Sequence, residues 1–161
     1  MKKTLFISLI IVFILALISS IFISKSKTSK FSRTDIYQVG DFIATIDADD
    51  VLKTNKVKAT ITYVGKDDKV VVYHGISIFS SNIQEKNGTF KYEPAMPFPL
   101  GKTTLIRNKP KIEEYEFPKQ IIQKLKPGKT YEFKADASFS LDKHFNKDTA
   151  FSLPVSASLT R

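Results

Sequence analysis

The stretch LKPGKTYEFKADASFSL, residues 125–141, decides the fold. From Tyr131 the odd positions read Tyr131, Phe133, Ala135, Ala137, Phe139 and Leu141, and the even ones Glu132, Lys134, Asp136, Ser138 and Ser140. Successive side chains along a strand point to opposite faces, so the pattern predicts a strand with an apolar row inward and a polar row outward. Pro127-Gly128 is turn chemistry and sets where the strand starts. The outward row alternates in charge and shows no site.

The same period recurs along the chain. Asp41–Asp47 points Phe42, Ala44 and Ile46 to one face, and Val57–Tyr63 does so with Val57, Ala59, Ile61 and Tyr63. Gly65-Lys66-Asp67-Asp68 is a turn leading into the β-branched run Lys69–Tyr73, which predicts a central strand. Gly75 predicts a bulge or bend before Ile76–Phe79. Asn87-Gly88 is the strongest hairpin turn, joining a segment that ends near Gln84 to Thr89–Tyr92. Lys111–Phe117 is a further strand, and Pro118–Leu125 has room for one or two helical turns with Pro118 at the first position. Thr149–Leu159 places Phe151, Leu153, Val155, Ala157 and Leu159 inward; Pro154 points outward and predicts a free edge or a bulge there. Seven or eight short strands without a long amphipathic helix predict an all-β fold, an antiparallel two-sheet sandwich of immunoglobulin-like character. A partly open barrel is the alternative.

Residues 1–24 differ in kind. Thr4–Ser24 carries no charge, and as a helix its 21 residues span about 31 Å, close to the hydrocarbon thickness of a bilayer. Lys2 and Lys3 precede it, and no Ala-x-Ala site follows, which predicts an uncleaved signal-anchor with cleavage and secretion as the alternative. Residues 25–34 are polar and basic and predict a flexible stalk, leaving 35–161 as the folded domain. Of the net charge of +9, Lys2 and Lys3 hold two positives and Lys25, Lys27, Lys30 and Arg33 four, so residues 35–161 hold only +3. A nucleic-acid binder needs a basic patch on its folded domain, so no nucleic-acid partner is expected. The expected address is the cell membrane, single-pass, with the domain outside. Charges flanking the apolar run do not favour that orientation; the short basic start before a single apolar run does. The absence of cysteine excludes disulfides, thiolate metal sites and cysteine catalysis.

Leu125, Pro127, Gly128 and Tyr131 resemble the leucine, Pro-Gly turn and tyrosine that open a late strand in immunoglobulin-like and fibronectin-type domains. That likeness implies a tyrosine corner, with the Tyr131 hydroxyl bonded to nearby backbone. The layout of Val57–Glu93 also resembles the bacterial intracellular proteinase inhibitor family over about half the domain, with Phe90 where that family has tryptophan. This second likeness implies the fold and, as an alternative function, protease inhibition.

The functional candidates are few. Asp47, Asp49 and Asp50 are the residue type a hard cation takes, but the spacing fits a solvated turn, and no metal or cofactor is expected. His74 and His144 are the only histidines, and His74 is expected as a partly buried polar residue. Ser80-Ser81 lacks a nucleophile-elbow setting, and Glu113, Glu114 and Glu116 fit a solvated strand face, so no enzyme is expected. Residues 93–107 are the contact candidate: Met96, Phe98 and Leu100 lie among Pro94, Pro97 and Pro99, with Lys102 and Arg107 behind. A pre-extended apolar and basic loop loses little entropy on docking. The competing expectation is a crossover that covers one end of the core and buries Phe98 and Leu100. The combined expectation is a membrane-anchored, non-enzymatic binding or envelope-assembly module with a protein or anionic envelope-polymer partner; the alternative is a protease inhibitor using the 93–107 loop.

Overall fold

The computed structural model describes residues 31–95 and 100–161. The apolar run 4–24, most of the stalk, Met96 and Phe98 lie outside them. Among the described residues no helix is long and apolar enough to cross a membrane.

The domain is all-β, two antiparallel sheets face to face around one core. Ten strands follow in chain order: β1 (Phe31–Thr34), β2 (Ile36–Val39), β3 (Phe42–Asp47), β4 (Lys56–Tyr63), β5 (Lys69–Glu85), β6 (Lys91–Tyr92), β7 (Gly101–Ile106), β8 (Lys111–Glu116), β9 (Thr130–Ser140) and β10 (Ala150–Thr160). Two short helices, α1 (Val51–Thr54) and α2 (Lys119–Gln123), close turns. One sheet runs β1-β10-β9-β5-β6, with β7 also on β5; the other runs β2-β3-β4-β8.

The alternating strands fold as their patterns predict. Tyr131, Phe133, Ala135, Ala137 and Phe139 of β9 are buried, and β10 pairs with it in unbroken register from Thr130–Thr160 to Ser140–Ala150. The register runs straight through Pro154, opposite Asp136, so there is no bulge. On the other flank the β1 pairing stops at Ala157, which leaves the edge at Pro154 free among the described residues. Ser140 and Leu141 depart from expectation: Ser140 is buried, its hydroxyl 2.9 Å from Thr149 Oγ1 and accepting from the Asp142 amide, and Leu141 lies one residue past the strand and is exposed. Phe42 of β3 reaches across the core to Phe139 and Phe151, at centroid distances of 4.8 and 5.0 Å, and meets Tyr63 of its own sheet at 5.5 Å.

Other expectations need correction. The strand count exceeds seven or eight because β1, β2 and β7 carry weak patterns, and β1 takes in residues 31–34 of the expected stalk. The two segments on either side of Gly75 are one strand, β5. Its first part is not central: Lys69–Val72 pairs only with β7 among the described residues, Val72 is buried, and Val71 is exposed. Pro118 precedes α2 rather than opening it. Asn87 adopts φ 60° in the β5–β6 turn, a left-handed conformation that asparagine tolerates.

The Lys126 amide donates to the Tyr131 hydroxyl at 2.8 Å, and Tyr131 is itself buried. Tyr131→Phe removes the acceptor and is expected to cost roughly 1 kcal/mol in urea denaturation. A loss below a few tenths would mean that water replaces the bond without cost.

Candidate functional site

The site is built on an interrupted edge. β6 pairs with β5 through Ile83–Tyr92, and β7 through His74–Gly101. Between these two pairs stand eight residues on each side, 75–82 of β5 and 93–100 of the other chain segment. β6 and β7 are therefore the two ends of one edge strand, in a single register. The intervening segment contains Pro94, Pro97 and Pro99, and proline has no N–H to give a ladder. Residues 93–95 and Leu100 belong to no strand, and Leu100 is 73% exposed. The ladder resumes at a glycine for a steric reason: a Cβ on Gly101 would stand 2.9 Å from the Gly75 carbonyl oxygen and 3.0 Å from the His74 ring.

The other flank of the same stretch is bulged. His74 pairs with Phe139 and Phe79 with Ala137, so β5 takes five steps where β9 takes two. Glu113 of β8, in the facing sheet, accepts from the groups this displaces: the amides of Ile78 and Phe79, each at 3.4 Å, and the Ser77 hydroxyl. The Tyr115 hydroxyl donates to the same carboxylate at 2.5 Å and lies 2.6 Å from Ser77 Oγ and 3.2 Å from the Phe79 carbonyl. Glu113 is thus half-buried and tied to β5, unlike Glu114 and Glu116, which stand exposed as expected. With two amides and two hydroxyls on one carboxylate and no histidine in contact, the cluster is a brace between sheets. His74 is buried, with Nδ1 donating to the Gly75 carbonyl at 2.8 Å and Nε2 at 2.9 Å from Thr103 Oγ1.

Burial first, and then the Glu113 carboxylate, push the Tyr115 hydroxyl well above its ordinary value of 10.0. A group whose pKa rises on folding stabilises the fold fully below its unfolded pKa, and that contribution is lost as pH climbs above it. Unfolding free energy is therefore expected to fall from about pH 10 upward, and to fall less steeply in Tyr115→Phe. Parallel pH profiles for the two proteins would count against this coupling.

Against residues 75–82 of β5 lies a cleft of about 810 Å³ that reaches across the sheet face to β9. All eight residues Gly75–Asn82 line it, including Phe79 and Ser81, whose side chains are buried in the core, so the cleft meets the strand's backbone. Asp136 and Ser138 of β9 form its floor, Leu100 and Phe145 are apolar walls, and Glu93 stands at its rim, paired with Lys91 at 2.7 Å. Burial pushes the Asp136 carboxyl up from its ordinary value; Lys134 opposes this and Glu93 adds to it. The outward row of β9, which shows no site in the sequence, thus supplies two lining residues, because its neighbours on β5 bring the cleft to them.

The residues singled out for partner contact are dispersed. Leu100 lines the cleft, and Lys102 is exposed on β7. Residues 101–106 are strand, so the expected 93–107 loop is shorter than the sequence suggests. Arg107 is engaged with the 65–68 turn, with Nη2 on Asp68 at 2.8 Å and Nη1 on the Lys66 carbonyl at 2.9 Å. Asp47, Asp49 and Asp50 form a local turn in which the Asp49 amide donates to Asp47 at 3.0 Å and Lys53 pairs with Asp50 at 3.3 Å. No group of three or more acidic or histidine side chains among the described residues is disposed to hold a metal ion. Comparison of the sequence with protein-family models and with curated proteins returns no match.

Proposed function

We propose that residues 35–161 are a non-enzymatic binding module and that the β5 cleft is where it meets its partner. One observation carries this: an 810 Å³ cleft lies against residues 75–82 of β5, which pair with no strand on the flank away from β9 among the described residues. A concave cleft with apolar walls and a few polar groups is a recognition surface. The module is of immunoglobulin-like type, a reading supported by the two-sheet architecture and by the Tyr131–Lys126 bond. It is held outside a membrane by the apolar segment 4–24, where it takes part in assembling the envelope.

The test is a photo-crosslinking residue placed at Ser138, in the cleft, or at Thr60, on the opposite sheet, in intact cells. A discrete adduct from Ser138 and none from Thr60 is the expected result; no adduct, or the same adducts from both, would remove the cleft from the reading. Anchoring has its own test. The chain should stay with washed membranes, and its release with a new start near Lys27 would mean that the segment is cleaved. Because the chain has no cysteine, a single one introduced at Thr45 gives a clean label. Failure of an impermeant maleimide to reach it on intact cells would reverse the orientation.

A further inference from the structure

We infer that the end of the domain where the chain enters it lies against an anionic lipid surface, which it meets through the lysines of the 118–129 connection. This rests on the anchoring half of the reading above and not on the cleft.

Register fixes which end this is. Phe31 pairs with Leu159, Leu159 with Tyr131 and Tyr131 with Glu85, so one row crosses β1, β10, β9 and β5. The chain reaches β1 from beyond that row. On the same side lie the 118–129 connection and the turn that starts at Lys86, whose amide donates to the Thr130 carbonyl at 2.8 Å. Six residues, 25–30, separate Phe31 from the apolar segment 4–24, and a fully extended chain of that length reaches only about 20 Å. An anchored domain therefore turns this end toward the bilayer.

The surface at this end is basic and held in place. Residues 118–129 contain four lysines and no acidic residue. Ile122 and Leu125 are buried, the Lys126 amide is bound to Tyr131, and the Arg161 guanidinium donates to the carbonyls of Ile122 and Leu125. Lys86, Lys119, Lys124 and Lys126 are exposed and form no ion pair among the described residues, whereas Lys129 pairs with Glu85 at 3.1 Å. Nothing outside the described residues can neutralise them: residues 1–30 hold five lysines and no acidic residue, and residues 96–99 hold no charge. The second sheet adds an acidic turn at this end, with Asp47, Asp49 and Asp50, so the basic half is the one beneath the sheet that the chain enters. Lysines near an anionic bilayer are drawn to its headgroups, an attraction that decays over a Debye length of about 8 Å at physiological salt. The short tether keeps the patch close to that layer, which makes docking an intramolecular step.

The experiment places the full chain in vesicles of phosphatidylcholine, alone or with a quarter of the lipid replaced by phosphatidylglycerol. Because the chain has no cysteine, Gln123→Cys in α2 or Lys109→Cys, beyond the opposite end of β5, carries a single fluorophore. Lipids spin-labelled on the headgroup quench it by proximity. Quenching at position 123 should be at least threefold greater with phosphatidylglycerol than without it. It should fall to the neutral-vesicle level in about 1 M salt, where the Debye length is about 3 Å. Position 109 should stay unquenched in both vesicles. Lys119→Glu with Lys124→Glu and Lys126→Glu should abolish the anionic effect, and glutamine at the same three positions should reduce it. Lys143→Glu with Lys147→Glu, past the opposite end of β9, should leave it unchanged. Equal quenching at position 123 in the two vesicles, or equal quenching at 123 and 109, would overturn the inference. So would weak quenching at 123 together with a rise in its anisotropy on adding soluble polyphosphate, which would make a polyanion the occupant. Flotation separates the two readings. A chain that fails to float with phosphatidylcholine vesicles is not anchored; flotation with the anionic vesicles alone would then leave the docking standing, and flotation with neither would overturn both.

Discussion

Phe42→Ala lowers the stability of the domain by about 3–5 kcal/mol, the range for deleting a fully buried aromatic ring. The ring is 2% exposed and is one of the points at which the two layers touch through aromatic side chains, with Phe139 and Phe151 at edge-on angles of 67° and 62°. Edge-to-face pairs add to simple burial, roughly 0.5–1.5 kcal/mol each. Neighbours from two separate sheets cannot both move in to refill the space. Against a total stability of about 5–15 kcal/mol the loss is large. It is read as a fall in the urea midpoint at constant slope, followed by circular dichroism because the chain has no tryptophan. Ile112→Ala, at an exposed position, serves as the control and should change stability by no more than about 0.5 kcal/mol. A Phe42→Ala loss under about 1.5 kcal/mol would show that the sheets are held together elsewhere.

Glu113→Ala costs about 2–3 kcal/mol, because it strips the acceptor from two amides and two hydroxyls at once. The site is half-buried, and water reaching some of these donors keeps the loss below the sum of four separate bonds. Glu113→Gln keeps the shape and one acceptor oxygen and should cost about half as much. The local signature is sharper than the global one. Amide exchange at Ile78 and Phe79 should accelerate far more than at Phe133 in the same sheet. Uniform acceleration would mean that Glu113 supports the whole fold rather than the bulge.

Strands β3, β4, β9 and β10 were legible because each keeps a single phase, with buried residues on alternate positions, save at the end of β9 where Ser140 is buried beside Phe139. β5 changes phase. Before Gly75 its buried residues are even-numbered, Val72 and His74; from Phe79 they are odd-numbered, Phe79, Ser81 and Ile83. The bulge inserts three residues relative to β9, and an odd insertion exchanges the faces, so one strand has the pattern of two. β7 was hidden differently. Its inward row is Gly101, Thr103 and Leu105, with one strong apolar residue, and it follows a proline-rich segment that suggests a loop. The cleft was half legible. The prolines and Leu100 marked the neighbourhood, but Asp136, Ser138 and Ser80 acquire meaning only through cross-strand register, which no local pattern carries. Arg107 looked like a free cation because Asp68, thirty-nine positions away, is its partner only after β5 and β7 have paired.

The pairing of β1 with β10 joins Phe31 to Leu159, 128 positions apart, and β10 is also the flanking support of β9 along its entire length. The Phe31–Leu159 pair cannot form until residue 159 has left the ribosome, and β10 cannot begin to cover β9 before residue 150 has. A growing chain therefore holds β9, with its row of aromatic residues, without the strand that covers its flank. Long-range closure of this kind is slow among small domains, so β9 stays uncovered on that flank until β10 has been made and has docked. A holding partner during that interval would act on the nascent β9, and a stall engineered before residue 150 should leave Tyr131–Phe139 open to limited proteolysis.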